Sequence, residues 1–134
     1  MAQNLELEIE VIRRVIEKTN QDPYLQFIKT AKNRRKFLNT LAHSDSFNWD
    51  LFKEVNRNEM QVILEALKKN KIPMGECYII SEDSKLDTKT MNPIQAISET
   101  VGRGMGTILV FGKANIIFYE SEESKSRYIS TFTN

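Results

Sequence analysis

Cysteine, histidine and tryptophan occur once each in this chain, as Cys77, His43 and Trp49, and these scarcities remove whole classes of chemistry. A lone cysteine has no partner for an internal disulfide. One cysteine and one histidine are too few soft ligands for a closed zinc site, so neither a metal nor a cofactor is expected. A Cys77–His43 nucleophilic pair can be written down. However, Cys77 opens an apolar run, where a free thiol behaves as a small buried hydrophobe. His43 stands just past a helix end, where it can meet terminal carbonyls. Both are read as structural. Glu82, Asp83 and Asp87 lack the aspartate–glycine spacing of a calcium loop and are read as solvated turn residues.

Long hydrophobic runs are also missing. The apolar runs Ile108–Phe111 and Ile116–Tyr119 fall far short of the roughly 20 residues a spanning helix needs, so no membrane segment is expected. Glu6, Glu8 and Glu10 stand where a signal peptide would carry basic residues, which points to a cytoplasmic protein. A net charge of +1 gives no bulk attraction to nucleic acid or to an anionic surface. With three prolines, five glycines and 40% apolar residues the chain has an ordinary globular composition. Its 134 residues fit one domain, 1–134, with a helical half over 1–72 and a sheet-containing half over 73–134.

What is present is strong periodicity. Leu5, Ile9, Ile12 and Ile16 share a helical face over 5–18, with glutamates early and Arg13, Arg14 and Lys18 late, as the helix dipole favours. Asp22-Pro23 is a helix start, and the spacing of Tyr24, Phe27, Ile28, Ala31, Leu38 and Leu41 predicts one helix from Pro23 to about Ala42. The loop 43–46 then leads to a short helix carrying Phe47, Trp49, Leu51, Phe52 and Val55, with Trp49 the largest single burial. Asn58-Glu59-Met60-Gln61 opens a helix whose Met60, Ile63, Leu64 and Leu67 face inward, and Ile72-Pro73-Met74-Gly75 ends it.

From there the composition turns to strands at Cys77–Ile80, Thr107–Phe111, Ile116–Glu120 and Arg127–Phe132, the last read as an edge. A polar loop over 81–91 and a helix from Asn92-Pro93 to Val101, stopped by Gly102, lie between the first two. The middle pair forms an antiparallel hairpin apolar on both faces. N-terminal helices can cover one face. The other needs the Asn92–Val101 helix or a second copy of the chain. The fold class is therefore α+β, with N-terminal helices packed on a mostly antiparallel sheet of about four C-terminal strands.

Three surfaces invite functional readings. Gly102-Arg103-Gly104-Met105-Gly106 has the small residues and cation of an anion-binding turn. Its order is helix, glycines, strand, so no helix N-terminus points at a ligand, and the first reading is a helix stop with close packing. Lys29, Lys32, Arg34, Arg35 and Lys36 form a basic helix without an acid between Pro23 and Ser44. That run suits either a solvated face or, through Lys32, Arg34, Arg35 and Lys36, phosphate contacts. Tyr78, Tyr119 and Tyr128 fall on three strands and can converge with Ser81 and Arg127 on one sheet face, a surface suited to a protein partner, or else fill the core. Glu120, Glu122 and Glu123 beside Lys125 and Arg127 read as a charged hairpin end that blunts an edge.

With no convincing nucleophile, the leading expectation is a non-enzymatic binding or regulatory protein acting through protein–protein contacts, including self-association as a homodimer. Its contact residues are Arg103, Gly104, Met105, Ser81, Tyr119 and Tyr128. The alternatives are a nucleic-acid-associated protein using the basic helix 29–36, and a small enzyme or anionic-ligand binder at the glycine-rich turn 102–106.

Overall fold

The computed structural model describes residues 3–41, 46–55, 60–69, 75–101, 103–122 and 127–132. His43, Ser44 and Asp45 of the first loop, Asn58-Glu59, Ile72-Pro73-Met74, Gly102, Glu123 and Lys125 lie outside the described residues.

Helix α1 spans Leu5–Val15 and begins where the Asn4 side chain accepts from the Leu7 N–H. Its apolar stripe buries Val11, Ile12 and Val15. It ends at Val15 rather than Lys18, because Ile16 turns extended to bridge Phe47 and the Val15 carbonyl accepts from the Asn48 N–H.

The single helix expected over 23–42 is two, α2 (Gln21–Phe27) and α3 (Ala31–Thr40). Thr30 adopts an extended backbone and its hydroxyl accepts from the Asn33 N–H, so it caps a new helix inside a continuous helical period. The break leaves Ile28 fully buried and turns Arg34, Phe37 and Leu38 inward from α3, while Tyr24 is only half-buried.

The helix expected over 47–55 is also absent. One 3-10 turn at Trp49–Leu51 leads into strand β1, Lys53–Val55. Phe47 takes the deep position at 1% exposure, whereas Trp49, expected to be the largest burial, is 39% exposed. Helix α4 covers Met60–Lys69. Of its expected inward residues, Leu64 packs on the core, and the side chains of Met60, Ile63 and Leu67 lie outside those described.

The remaining elements are β2 (Cys77–Ser81), β3 (Thr90–Met91), α5 (Pro93–Thr100), β4 (Thr107–Phe111), β5 (Ile116–Glu120) and β6 (Arg127–Thr131). The sheet has six strands rather than about four, in the order β1-β6-β5-β4-β2-β3, every neighbouring pair antiparallel. β6 is not an edge, because β1 pairs along it. The two extra strands, β1 and β3, are only three and two residues long and carry too little alternation to register in a sequence. The chain is thus α+β, its helices mostly N-terminal.

The strand register sorts side chains onto two faces. One row crosses the sheet through Glu54, Tyr128, Tyr119, Ile108 and Ile80. Most of it belongs to a core shared with Val11, Ile12, Val15, Phe37 and Leu41 of the N-terminal helices and their ends. The next row, Val55, Arg127, Glu120, Thr107 and Ser81, lies on the opposite face. On that face Ile79, Leu109, Phe111, Ile116 and Phe118 pack with Ala96 and Ile97 of α5 and with Leu64 of α4. The second face of the hairpin is therefore covered by the chain's own α5.

One polar cluster ties the first helical layer to the sheet. The Arg34 guanidinium donates to both Glu8 oxygens (3.0 and 2.6 Å) and to both Asp87 oxygens (2.9 and 2.5 Å). Tyr78 Oη donates to Glu8 Oε2 at 2.6 Å, Gln3 Nε2 to Glu8 Oε1 at 2.7 Å, and the Ser81 N–H to Asp87 Oδ1 at 3.1 Å. Glu8 is fully buried. Burial works against the Arg34 charge, but the two carboxylates outweigh it and push its pKa above the usual value. Burial and the Glu8 contact raise the Tyr78 hydroxyl likewise.

Removing the cation strands two interior carboxylates. Arg34→Ala is expected to cost about 3–5 kcal/mol of unfolding free energy. Its exposed neighbour, changed as Arg35→Ala, should stay within about 0.5 kcal/mol of the parent. Urea denaturation followed by circular dichroism checks both, and equal effects would contradict the assignment.

Candidate functional site

The glycine-rich turn binds anions of its own chain. The Gly106 N–H donates to Glu82 Oε2 at 2.7 Å, and the Glu82 N–H returns a bond to the Gly106 carbonyl at 3.0 Å. Arg103 donates through Nη1 to Asp83 Oδ2 at 3.0 Å and through Nε to the Glu99 carbonyl at 2.5 Å. The Met105 carbonyl accepts from the Thr107 hydroxyl. The Gly106 N–H and Arg103 Nη1 are thus already answered by carboxylates of the loop after β2. Gly104 has φ +71°, in the region glycine tolerates. A Cβ on Gly106 would stand 2.6 Å from the Leu41 carbonyl group, which also accepts from the Tyr119 hydroxyl. Gly106 thus lets the start of β4 press against Leu41 at the end of α3.

Asp83 and Asp87 are accordingly not solvated turn residues; each is held by an arginine. Glu120 and Arg127 likewise form a buried pair, Nε to Oε1 at 2.7 Å, rather than an exposed hairpin end. Ser81 is fully buried and its hydroxyl shares a 2.8 Å bond with Thr107 Oγ1. The three tyrosines do share one face, but Ser81 and Arg127 lie on the other, so the expected convergence splits. Tyr78 and Tyr119 are core residues, and Tyr128 is half-exposed.

On α3, Lys32, Arg35 and Lys36 are exposed, with the Lys36 ammonium 5.3 Å from the Phe27 ring centre. Arg34 is turned inward to its two carboxylates, which removes it from any outward basic surface.

The most distinctive surface lies at the β1 edge. Trp49 meets Tyr128 edge-on at 4.7 Å between ring centres and packs on Phe52 at 5.4 Å and Phe47 at 5.7 Å. Phe47 in turn lies 4.9 Å from Tyr119. A chain of rings therefore runs from the interior to the half-exposed indole, and Leu51 is exposed beside it. The Ser130 hydroxyl donates to the Leu51 carbonyl at 2.7 Å, which fixes the 3-10 turn over β6. Glu54 lies directly opposite Tyr128, and Asp50 adjoins Trp49; both acids are exposed. Of these residues Tyr119 and Tyr128 were expected from the sequence as contact residues, whereas Trp49 was expected to be buried. The alternation of Phe47, Trp49 and Leu51 with Asn48 and Asp50 was the available signal, since period two argues for extended chain rather than helix.

An open groove of about 550 Å³ lies elsewhere, between the polar side of α1 and the β4–β5 turn, lined by Glu6, Glu10, Arg14 and Lys113 among others. Arg14 there is paired with Glu10 at 2.8 Å and stacks over Phe132.

Compared with protein-family models, curated proteins and solved structures, the chain matches none. The fold and the surface just described are therefore what a functional reading rests on.

Two outcomes test this picture. Gly106→Ala should lose about 1–3 kcal/mol, because backbone on both sides of the contact must move; an unchanged urea midpoint would contradict the close approach. Cys77 is buried, and burial pushes its thiol from 9.0 up to about 12. A raised folded-state value adds stability that is complete below pH 9 and is lost as pH climbs toward 12. Urea midpoints measured upward from pH 8 should thus fall more steeply for the parent than for Cys77→Ala.

Proposed function

We propose that this is a non-enzymatic binding protein that acts through a protein–protein contact centred on Trp49, Leu51 and Tyr128. One observation carries the reading: the only tryptophan of the chain is 39% exposed at the end of a rigid aromatic stack. Tryptophan and tyrosine on a fixed support lose little entropy on binding and dominate the energetics of many interfaces. Polar side chains of the sheet and the adjoining loop meet partners within the chain, Ser81 with Thr107, Asp83 with Arg103 and Glu120 with Arg127. That arrangement favours a structural use for them over a catalytic one. Self-association loses its first motive, since α5 covers the hairpin face that called for a second copy.

The test is site-specific photocrosslinking in cells. A photoreactive residue at position 51 should capture one protein in defined stoichiometry, and Trp49→Ala should abolish that adduct. The same probe at Ile94, which is 56% exposed on α5 across the sheet, should not form it. Identical adducts from both positions, or persistence in the tryptophan variant, would reject the patch as the interface.

A further inference from the structure

The aromatic patch borders an open sheet edge, and the described charged side chains on its face, Asp50 and Glu54, are both acidic. We infer that it receives an extended segment of a partner protein, paired along β1, with a lysine or arginine side chain laid on Trp49. This deepens the reading above and rests on it.

The sheet order ends at β1, so the outer side of Lys53–Val55 has no strand beside it among the described residues. An edge of this kind accepts an added strand through main-chain hydrogen bonds, and side-chain pockets alongside set specificity. The register decides which side chains line the incoming strand. Glu54 faces the Tyr128 side, where Trp49 and Phe52 pack, whereas Lys53 pairs with Ile129 and so belongs to the opposite face. Asp50 and Glu54 are both exposed, and neither forms an ion pair with a described residue. An exposed indole with two exposed carboxylates beside it in the chain, neither paired to a described residue, attracts a cation twice, through the ring quadrupole and through charge.

A second copy of the chain fits this edge poorly. Two-fold pairing of β1 with itself keeps like faces together only when each residue meets one an even number of positions away. Centring such a pair on Glu54 or on Lys53 sets that charge against its own copy, which is destabilising, and centring it on Val55 leaves only the Val55 pair within the three residues of β1. A basic strand from another protein meets no such penalty. Hence the asymmetry of charge selects the occupant.

The experiment selects from a random linear peptide library displayed on phage, using the intact protein as bait, with the winners resynthesised as free peptides. Recovered peptides should hold Lys or Arg flanked by Val, Ile or Thr, and should protect the amides of Lys53–Val55 from hydrogen exchange. Affinity should drop about tenfold for Asp50→Lys/Glu54→Lys and for Trp49→Ala, the loss expected for a surface cation–π contact with two exposed ion pairs. It should also weaken as salt is raised. Circular dichroism confirms that each variant is folded, and the charge variant, being wholly at the surface, remains informative if the tryptophan variant is not.

Peptides that need Trp49 but carry no basic residue, or that leave the β1 amides unprotected, would overturn this inference while leaving the patch as an interface. A dimer by sedimentation that Trp49→Ala dissociates would overturn it in favour of a second copy. Recovery of no peptide that depends on Trp49 would remove both readings.

Discussion

Strands β4 and β5 are buried along their whole length, with Ile108, Val110, Ile117 and Tyr119 on one face and Leu109, Phe111, Ile116 and Phe118 on the other. Fully burying a side chain of this size contributes about 1.5–3 kcal/mol relative to exposing it, so neither face can be left to water. That constraint sets the architecture. The N-terminal helices close one face, and α5 with Leu64 of α4 closes the other. Only the two edge strands, β1 and β3, are shorter, because fewer apolar residues are needed where the helical layers run out.

The polar groups follow from the same enclosure. A buried ion costs several kcal/mol in desolvation unless its partners are close and well aligned. Glu8 and Asp87 are therefore bonded from both sides of Arg34, and Glu120 is matched by Arg127 on the neighbouring strand. The Glu8–Arg34–Asp87 cluster joins α1, α3 and the loop after β2, so three segments distant in sequence are locked by one guanidinium. The glycine turn belongs to this logic too. Its donors meet Glu82 and Asp83, and its Gly106 lies where a side chain would strike the Leu41 backbone. The Gly106 N–H and the Arg103 guanidinium, which the sequence offers to an anion, meet carboxylates of the same chain.

What remains for contact with other molecules lies at the margin. The ring chain from Tyr119 through Phe47 to Trp49 gives the exposed indole a support that is itself close-packed, so the patch is rigid rather than a loose surface tryptophan. Its position over β6 and next to β1 joins apolar area, acidic charge and an open sheet edge within a few residues of one another.

The local elements were legible wherever the pattern was long and one-sided. Helix α1, the Asn92 cap with Pro93 that starts α5, and the β4–β5 hairpin appear where period and capping chemistry place them. The break at Thr30 was hidden, because a cap in the middle of an unbroken apolar period differs from a helical threonine only in its backbone. β1 and β3 were hidden because a strand of two or three residues takes its existence from its neighbour rather than from its own side chains. The candidate site was mostly unread. Tyr128 could be placed on a strand, but the exposure of Trp49 depends on Phe47 winning the interior place beneath it. By itself the sequence determined which segments must be buried, since hydrophobic periodicity is a local property. Only the tertiary structure decided which charges are interior and which aromatic is left at the surface, because those depend on partners tens of residues away.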